Sequence, residues 1–329
     1  MKVTKIRSII FVICAMLLIT GCGSSKQQAT TKPDQPDFPK KEITMIVPWN
    51  AGGGNDVAAR KLQVILKEQG ISSVVKNVPG GNGVVGISEV MTSKPDGYTV
   101  GLQTSTTLSS MALGKSKIKP EQLSNIALMV DEPHVMIVKG DARWNSLKEL
   151  VEYMKANPNK VTVATPGTNN VNHAVAAMLG VTANVQYLHV PFDGGALVIP
   201  QILGGHVDVA VLKPSEVVAQ VKDKKFKALA VNDDKRLAVL PDVPTFKESG
   251  YDLFKAGPVK QMTFLVGPAG LDPKVRDRLI EIFNKAIQAD AYQKLAKDSG
   301  FITPKKTPAE LDKDVNAFMT SEAFTKIFK

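Results

Sequence analysis

Ile43-Thr44-Met45-Ile46-Val47-Pro48-Trp49-Asn50-Ala51-Gly52-Gly53-Gly54-Asn55-Asp56 decides how the rest of the chain is read. Ile43 to Val47 is a short, β-branched apolar run, the pattern of a buried strand. Pro48 closes it, since it has no N–H to give a ladder. Three glycines follow, and Asn55-Asp56 then head a helical pattern through Val57, Arg60, Leu62, Ile65 and Leu66. A strand, a glycine turn and a helix start gather unpaired N–H groups at the positive end of a helix dipole, which suits an anion. The same glycines serve equally as a sharp turn and nothing more. The run has neither the G-x-G-x-x-G spacing nor the Lys of a P-loop, so it gives nucleotide binding little support.

Working outward, the same unit recurs. Val74 to Val78 runs into the turn Pro79 to Gly83 and a helical pattern ending near Lys94-Pro95. Asp96-Gly97 turns into the strand Tyr98 to Gln103, which ends on four hydroxyl residues, Thr104 to Thr107. Those four either open a helix or line a polar site. Ile126 to Val130 and His134 to Val138 are further strands. The pattern then restarts: strand Val161 to Ala164, polar loop Thr165 to His173, and an Ala-rich helix. Strand Val185 to Pro191 and glycine turn Phe192 to Gly195 follow, then a buried strand Val207 to Leu212 ending on Lys213. Alternating strands and helices of this kind form α/β sheets. The expected organisation is two lobes, each an open sheet flanked by helices. Lobe 1 takes residues 42–140 and 260–329, and lobe 2 takes 141–259.

The first 21 residues stand outside this fold. Lys2, Lys5 and Arg7 precede an apolar stretch, Ile9 to Ile19, that is short for a membrane span and reads as a signal peptide. Leu18-Ile19-Thr20-Gly21-Cys22 looks like a lipobox, with Cys22 as the lipidated first residue of the mature chain. Residues 22–41 are rich in Ser, Gln, Thr and Pro and read as a flexible tether. Cys14 and Cys22 are the only cysteines of the 329 residues, so the folded part has no disulfide, thiolate ligand or thiol nucleophile. Removing the signal takes three basic residues and leaves 38 against 31 acidic, or +7. The positive charges are scattered and not interleaved with aromatics, which argues against nucleic acid. A modest positive field suits anionic solutes or an anionic membrane surface.

Ligands of open α/β sheets bind beyond the carboxyl ends of the strands. Four polar segments hold such ends: Trp49 to Asp56 (with Gly53 at its centre), Gln103 to Thr107, Thr165 to Asn172, and Leu212 to Ser215. If the lobes face each other, these converge on one cleft rich in donors for a carboxylate. Lys213 is either a counter-charge for the ligand or the first exposed residue after a strand. Catalytic signatures are thin. There is no G-x-S-x-G after a strand, and His134, His173, His189 and His206 lack zinc spacing. Asp56 could act as a base but more often such a residue caps a helix. No cofactor or metal is expected.

Together these segments resemble the substrate-binding proteins of tripartite tricarboxylate transporters, the Bug family. The resemblance rests on Ile46 to Asp56, Asn77 to Gly86, Asp96-Gly97-Tyr98-Thr99, Thr165 to His173, His189 to Gly195, Gly204 to Asp208, Leu240 to Thr245 and Pro268-Ala269-Gly270. It implies a two-lobed Venus-flytrap of the type II periplasmic binding kind, not an enzyme, with a solute carboxylate between the lobes. Carried over by position, the first-lobe grip is Trp49, Asn50, Ala51, Gly54 and Asp56 with Thr104 and Ser105, and the second-lobe grip is Gly167, Thr168 and Asn170. Leu212-Lys213 departs from the family's frequent Asp-Asn. A Lys there favours a di- or tricarboxylate of citrate type; an aromatic acid or amino acid is the alternative. The expected setting is a monomer, lipid-anchored through Cys22 on the outer face of the cell membrane, of a Gram-positive host by its long Ser/Gln tether, handing its solute to a membrane permease. Ligand presentation to a sensor kinase and a secreted enzyme acting on a carboxylic acid are the other readings.

Overall fold

The computed structural model describes residues 37–253 and 260–328. The signal segment, Cys22 and most of the tether lie outside the described residues. Strand β1 (Ile43–Val47) is followed by α1 (Gly54–Glu68), β2 (Ser73–Asn77), α2 (Val84–Thr92), β3 (Thr99–Thr104), α3 (Ser105–Ala112) and β4 (Leu123–Glu132). Next come β5 (Val135–Lys139), α4 (Leu147–Ala156), β6 (Thr162–Thr165), α5 (Val171–Ala183), β7 (Leu188–Pro191), α6 (Gly195–Leu203), β8 (Val209–Leu212), α7 (Pro214–Lys222) and β9 (Phe226–Val231). The chain closes with β10 (Gln261–Pro268), α8 (Pro273–Ile287), α9 (Asp290–Ser299), α10 (Pro308–Met319) and α11 (Glu322–Lys326).

Two five-stranded sheets result, ordered β2-β1-β3-β10-β4 and β7-β6-β8-β5-β9. The sequence reading expected open sheets and two lobes, and that is the architecture. Each sheet is mixed, however, not all parallel. In the first, β10 runs antiparallel to β3 and β4; in the second, β5 runs antiparallel to β8 and β9. Both odd strands are the ones that enter from the opposite lobe. The chain leaves β4 and β9 at their carboxyl ends, and the strand that follows starts at the cleft and runs away from it.

This corrects the placement of Val135–Val138, which the sequence reading gave to lobe 1. The run is apolar enough for either sheet, and its seat is fixed by ladders to β8 and β9. The first crossing is therefore Pro133-His134. After β9 the chain stays with the second lobe, where Leu240, Val243, Phe246 and Leu253 are buried in its cores, and it rejoins the first lobe at β10.

Each sheet is packed by helices through alternate apolar positions. Helix α1 lays Ala58, Leu62, Ile65 and Leu66 against Ile43, Met45 and Val47 of β1 and against Leu279 and Phe283 of α8. Each fully buried side chain of this size contributes about 1.5–3 kcal/mol. In the second lobe Leu147, Leu150, Val151 and Met154 of α4 join Val163, Val209 and Leu179. The C-terminus departs from the expected division too. Leu311 and Val315 of α10 pack in the first lobe with Leu108 and Phe264, whereas Phe324 of α11 is buried in the second-lobe core. Phe318 touches Phe324 with ring centroids 5.2 Å apart, so the tail straps one lobe to the other.

Candidate functional site

Helix α1 begins without a side-chain cap. Its N-cap is Gly53, after Gly52 in a left-handed turn at φ +83°, a conformation that favours glycine. Asp56 shapes this turn from inside the helix. Its Oδ2 accepts from the Gly52 N–H and from Arg60 Nε, both at 2.9 Å, and its Oδ1 accepts from Asn77 Nδ2 at 2.9 Å. Burial raises the Asp56 pKa, but the Arg60, Gly52 and Asn77 donors outweigh it and hold the carboxyl below its ordinary value. Hydrogen bonds to charged groups contribute about 1.5–3 kcal/mol. Asp56→Asn is therefore expected to lower unfolding free energy at pH 7 by about that amount; a urea midpoint like that of wild type would remove Asp56 as the organiser of the loop.

The second lobe answers with a matching end. Helix α6 starts at Gly195 behind an N-cap glycine, Gly194 at φ +112°, again with no side-chain cap. These two uncapped ends face one cavity of about 420 Å³, open mouth included. From the first lobe its wall has Trp49, Asn50, Gly53, Gly54 and Asn55, with Thr106 of α3 and Gln261 of β10. From the second it has Pro166, Asn172, Gly194 to Ala196, Lys213 and Glu216. The lobes touch across it. Asn50 Nδ2 donates to the Asp193 carbonyl at 2.6 Å, and Asn82 Nδ2 to the Thr168 carbonyl at 2.8 Å. A Cβ on Gly54 would stand 2.9 Å from Ser215 Oγ and 3.0 Å from Lys213 Nζ. The Trp49 Nε1 and Ser215 Oγ atoms are buried without a hydrogen-bond partner among the described residues.

Trp49, Asn50, Gly53, Gly54 and Lys213 stand where the sequence reading put them, on this wall. Seven others do not. Ala51 is exposed, and Asp56 is turned into its own loop. Thr104 caps α3 by accepting from the Thr107 N–H, and Ser105 Oγ accepts from the Met262 N–H. Asn170 caps α5 through the His173 N–H. Gly167 packs against Asn82, and Thr168 reaches the other lobe only through its carbonyl. Of the wall residues the sequence reading missed, Gly194-Gly195 repeats the strand–glycine–helix arrangement of the opening stretch, a signal that could have found it. Glu216 is legible as the N3 acid of a helix with Pro214 at N1. Gln261 opens a crossover strand and has no sequence mark.

Lys213 also differs from expectation. Its Nζ lies 3.3 Å from Glu132 Oε1, 3.9 Å from Glu216 Oε1 and 3.4 Å from Asn55 Oδ1, and the residue is 5% exposed. It is neither a free counter-charge nor a surface residue. Burial lowers its pKa, but Glu216 and Glu132 overcome this and hold it raised. Glu132, 1% exposed, is raised by burial first, with Lys213 opposing and Glu216 adding.

Away from the cavity, His173 and His189 stack with centroids 3.7 Å apart. Burial, His189 and Lys115 lower the His173 pKa to about 3, and burial followed by Lys213 takes His134 to about 3. Folded-state values below the unfolded value of about 6.5 mean that stability is full above pH 6.5 and falls as pH drops toward 3. Each group can add at most about 1.4 kcal/mol per pH unit. The melting temperature should decline steadily from pH 6.5 to 4.5, and His134→Leu should flatten the decline. A flat profile in the wild type, or equal slopes in both proteins, would contradict the assignment.

Two sheets with a donor-lined cavity between them define a two-lobed solute-binding protein. Comparison gives the family. Residues 58–322 match the tripartite tricarboxylate transporter family receptor, and the chain belongs to that family. It is 30% identical over 278 residues to the UPF0065 protein of the gbd 5′ region of Cupriavidus necator, covering 84% of this chain and 83% of the relative. It is 29% identical to BugT of Bordetella pertussis, covering 77% and 78%. The periplasmic binding protein BugD superposes with a TM-score of 0.83 at 30% identity, over 88% of this chain and 99% of BugD. MatC of Rhodopseudomonas palustris, solved with malate, has the same fold at TM-score 0.81 and 24% identity, over 89% and 100%. The family consists of substrate-binding proteins, so the secreted-enzyme reading is set aside.

Proposed function

We propose that the protein captures a small carboxylate between its lobes and hands it to a membrane permease of the tripartite tricarboxylate type. The observation that carries this is the uncapped start of α1, whose Gly53 and Gly54 stand on the wall of the cavity between the lobes. Its free N–H groups and dipole favour an anion and hold it without a mobile side chain. Capture proceeds by closure: the lobes rotate about the segments that join them, and fixed donors replace the solute's water. MatC was solved with malate and another protein of this fold with adipate, which supports a carboxylic acid as the solute.

The citrate-type solute expected from Lys213 loses its main support, because that cation is already shared between two carboxylates. We place the protein outside the cytoplasm, tethered by lipid on Cys22. The relatives named above come from Gram-negative bacteria, so nothing in them favours a Gram-positive host. Mass spectrometry of the N-terminal peptide reads the anchor directly: a diacylglyceryl-Cys22 supports it, and an unmodified Cys22 in the membrane-derived protein removes it. For capture itself, native mass spectrometry of freshly purified protein should show a retained small acid, and calorimetry should show that acid binding without turnover. A protein that binds only neutral or cationic solutes would end this proposal.

A further inference from the structure

The cavity wall is charged at one end only. Among the described residues every wall residue from the first lobe is uncharged, and Lys213 and Glu216 are the ionisable groups of the wall. Lys213 stands between Glu132 and Glu216, whose side chains are 1% and 5% exposed, so two carboxylates share one ammonium. The Glu216 carboxylate also sits against the start of α6: a Cβ on Gly195 would collide with its oxygens. Glu216 is held there by its own helix, where Oε2 accepts from the Lys213 backbone N–H at 3.1 Å. The positive end of α6 is therefore offset by a fixed acid, whereas the positive end of α1 is not.

A solute with two carboxylates would place the second against Glu216, where the nearby cation, Lys213, is already engaged. Like charges brought together in a closed, dehydrated site repel strongly. Building on the carboxylate reading above, we propose that the solute has a single carboxylate, seated at the N-terminus of α1. Its other end carries a non-anionic hydrogen-bond donor, a hydroxyl or an ammonium, that meets Glu216. Glu216 then acts as the residue that sets specificity, accepting a donor and rejecting a second acid.

Calorimetry with matched acids tests this on the wild type and on Glu216→Gln. The probes are succinate with 4-hydroxybutyrate and 4-aminobutyrate, and adipate with 6-hydroxyhexanoate and 6-aminohexanoate. A donor-terminated acid should bind at least about tenfold tighter than the diacid of its length, and E216Q should shrink that gap about tenfold. Should E216Q not fold, the wild-type ranking decides alone. Diacids that bind as tightly as their partners at both lengths, or a ratio unmoved by E216Q, would overturn the proposal while leaving carboxylate capture standing. A folded wild type that binds no acid of either series at millimolar concentration would sink carboxylate capture, and this inference with it.

Discussion

Gly54→Val should abolish solute capture and leave the fold intact. Gly54 opens α1 with ordinary helical backbone, so the substitution brings no left-handed strain. Its cost is felt across the cleft. A Cβ alone would stand 2.9 Å from Ser215 Oγ, 3.0 Å from Lys213 Nζ and 3.2 Å from Glu216 Cγ, and valine adds two methyl groups beyond it. All three neighbours belong to the second lobe, two of them in the buried charge cluster, so they yield only if the lobes part. An open form has no such clash, and the change in unfolding free energy should stay within the range of an ordinary surface substitution, about 0.5 kcal/mol. Affinity should fall at least about a hundredfold, close to 2.7 kcal/mol. Calorimetry with the captured acid and small-angle scattering check the two halves of the expectation. Binding within threefold of wild type would show that closure at Gly54 is not required.

Lys213→Met should produce an effect of similar size by a different route. Removing one partner of a buried ion pair costs about 3–5 kcal/mol, because a charge is left without compensation in a poorly solvated site. Here two carboxylates are left, Glu132 behind the wall and Glu216 on it. Glu132 ends β4 of the first sheet and Lys213 follows β8 of the second, so the penalty falls on the closed form and opening relieves it. Affinity at pH 7.5 should drop about two to three orders of magnitude. The loss should shrink as pH falls: Glu132, already raised by burial, loses the Lys213 ammonium that opposed the rise, and its protonation removes the stranded charge. Adding Glu132→Gln to K213M should restore much of the binding, a coupling a double-mutant cycle reads directly. Wild-type affinity in K213M at pH 7.5 would dismiss the cluster as a closing contact.

How much of this the sequence disclosed depends on how far each determinant reaches along the chain. The strand–glycine–helix of Ile43 to Asp56 is decided by neighbours within a dozen residues, and it was legible together with the wall residues Trp49, Asn50, Gly53 and Gly54. Roles that depend on which way a polar side chain turns were not. Asp56, Thr104 and Asn170 could each face a ligand or cap a helix, and each is held by backbone N–H groups close by. Long-range facts were least legible. Val135–Lys139 is apolar enough to enter either sheet, and only the direction in which the chain arrives at the cleft selects the second. Lys213 read as a free cation because its partners, Glu132 and Asn55, come from distant segments brought near by the fold.

The C-terminal strap bears on how the molecule can be instrumented. With α10 seated in one lobe and Phe324 of α11 in the other, the link between these two helices is a further covalent join between the lobes. An affinity tag or fluorescent protein fused after that point pulls on a moving joint and biases the very equilibrium a biosensor is built to report. Dyes and handles therefore belong at the amino-terminal side of β1.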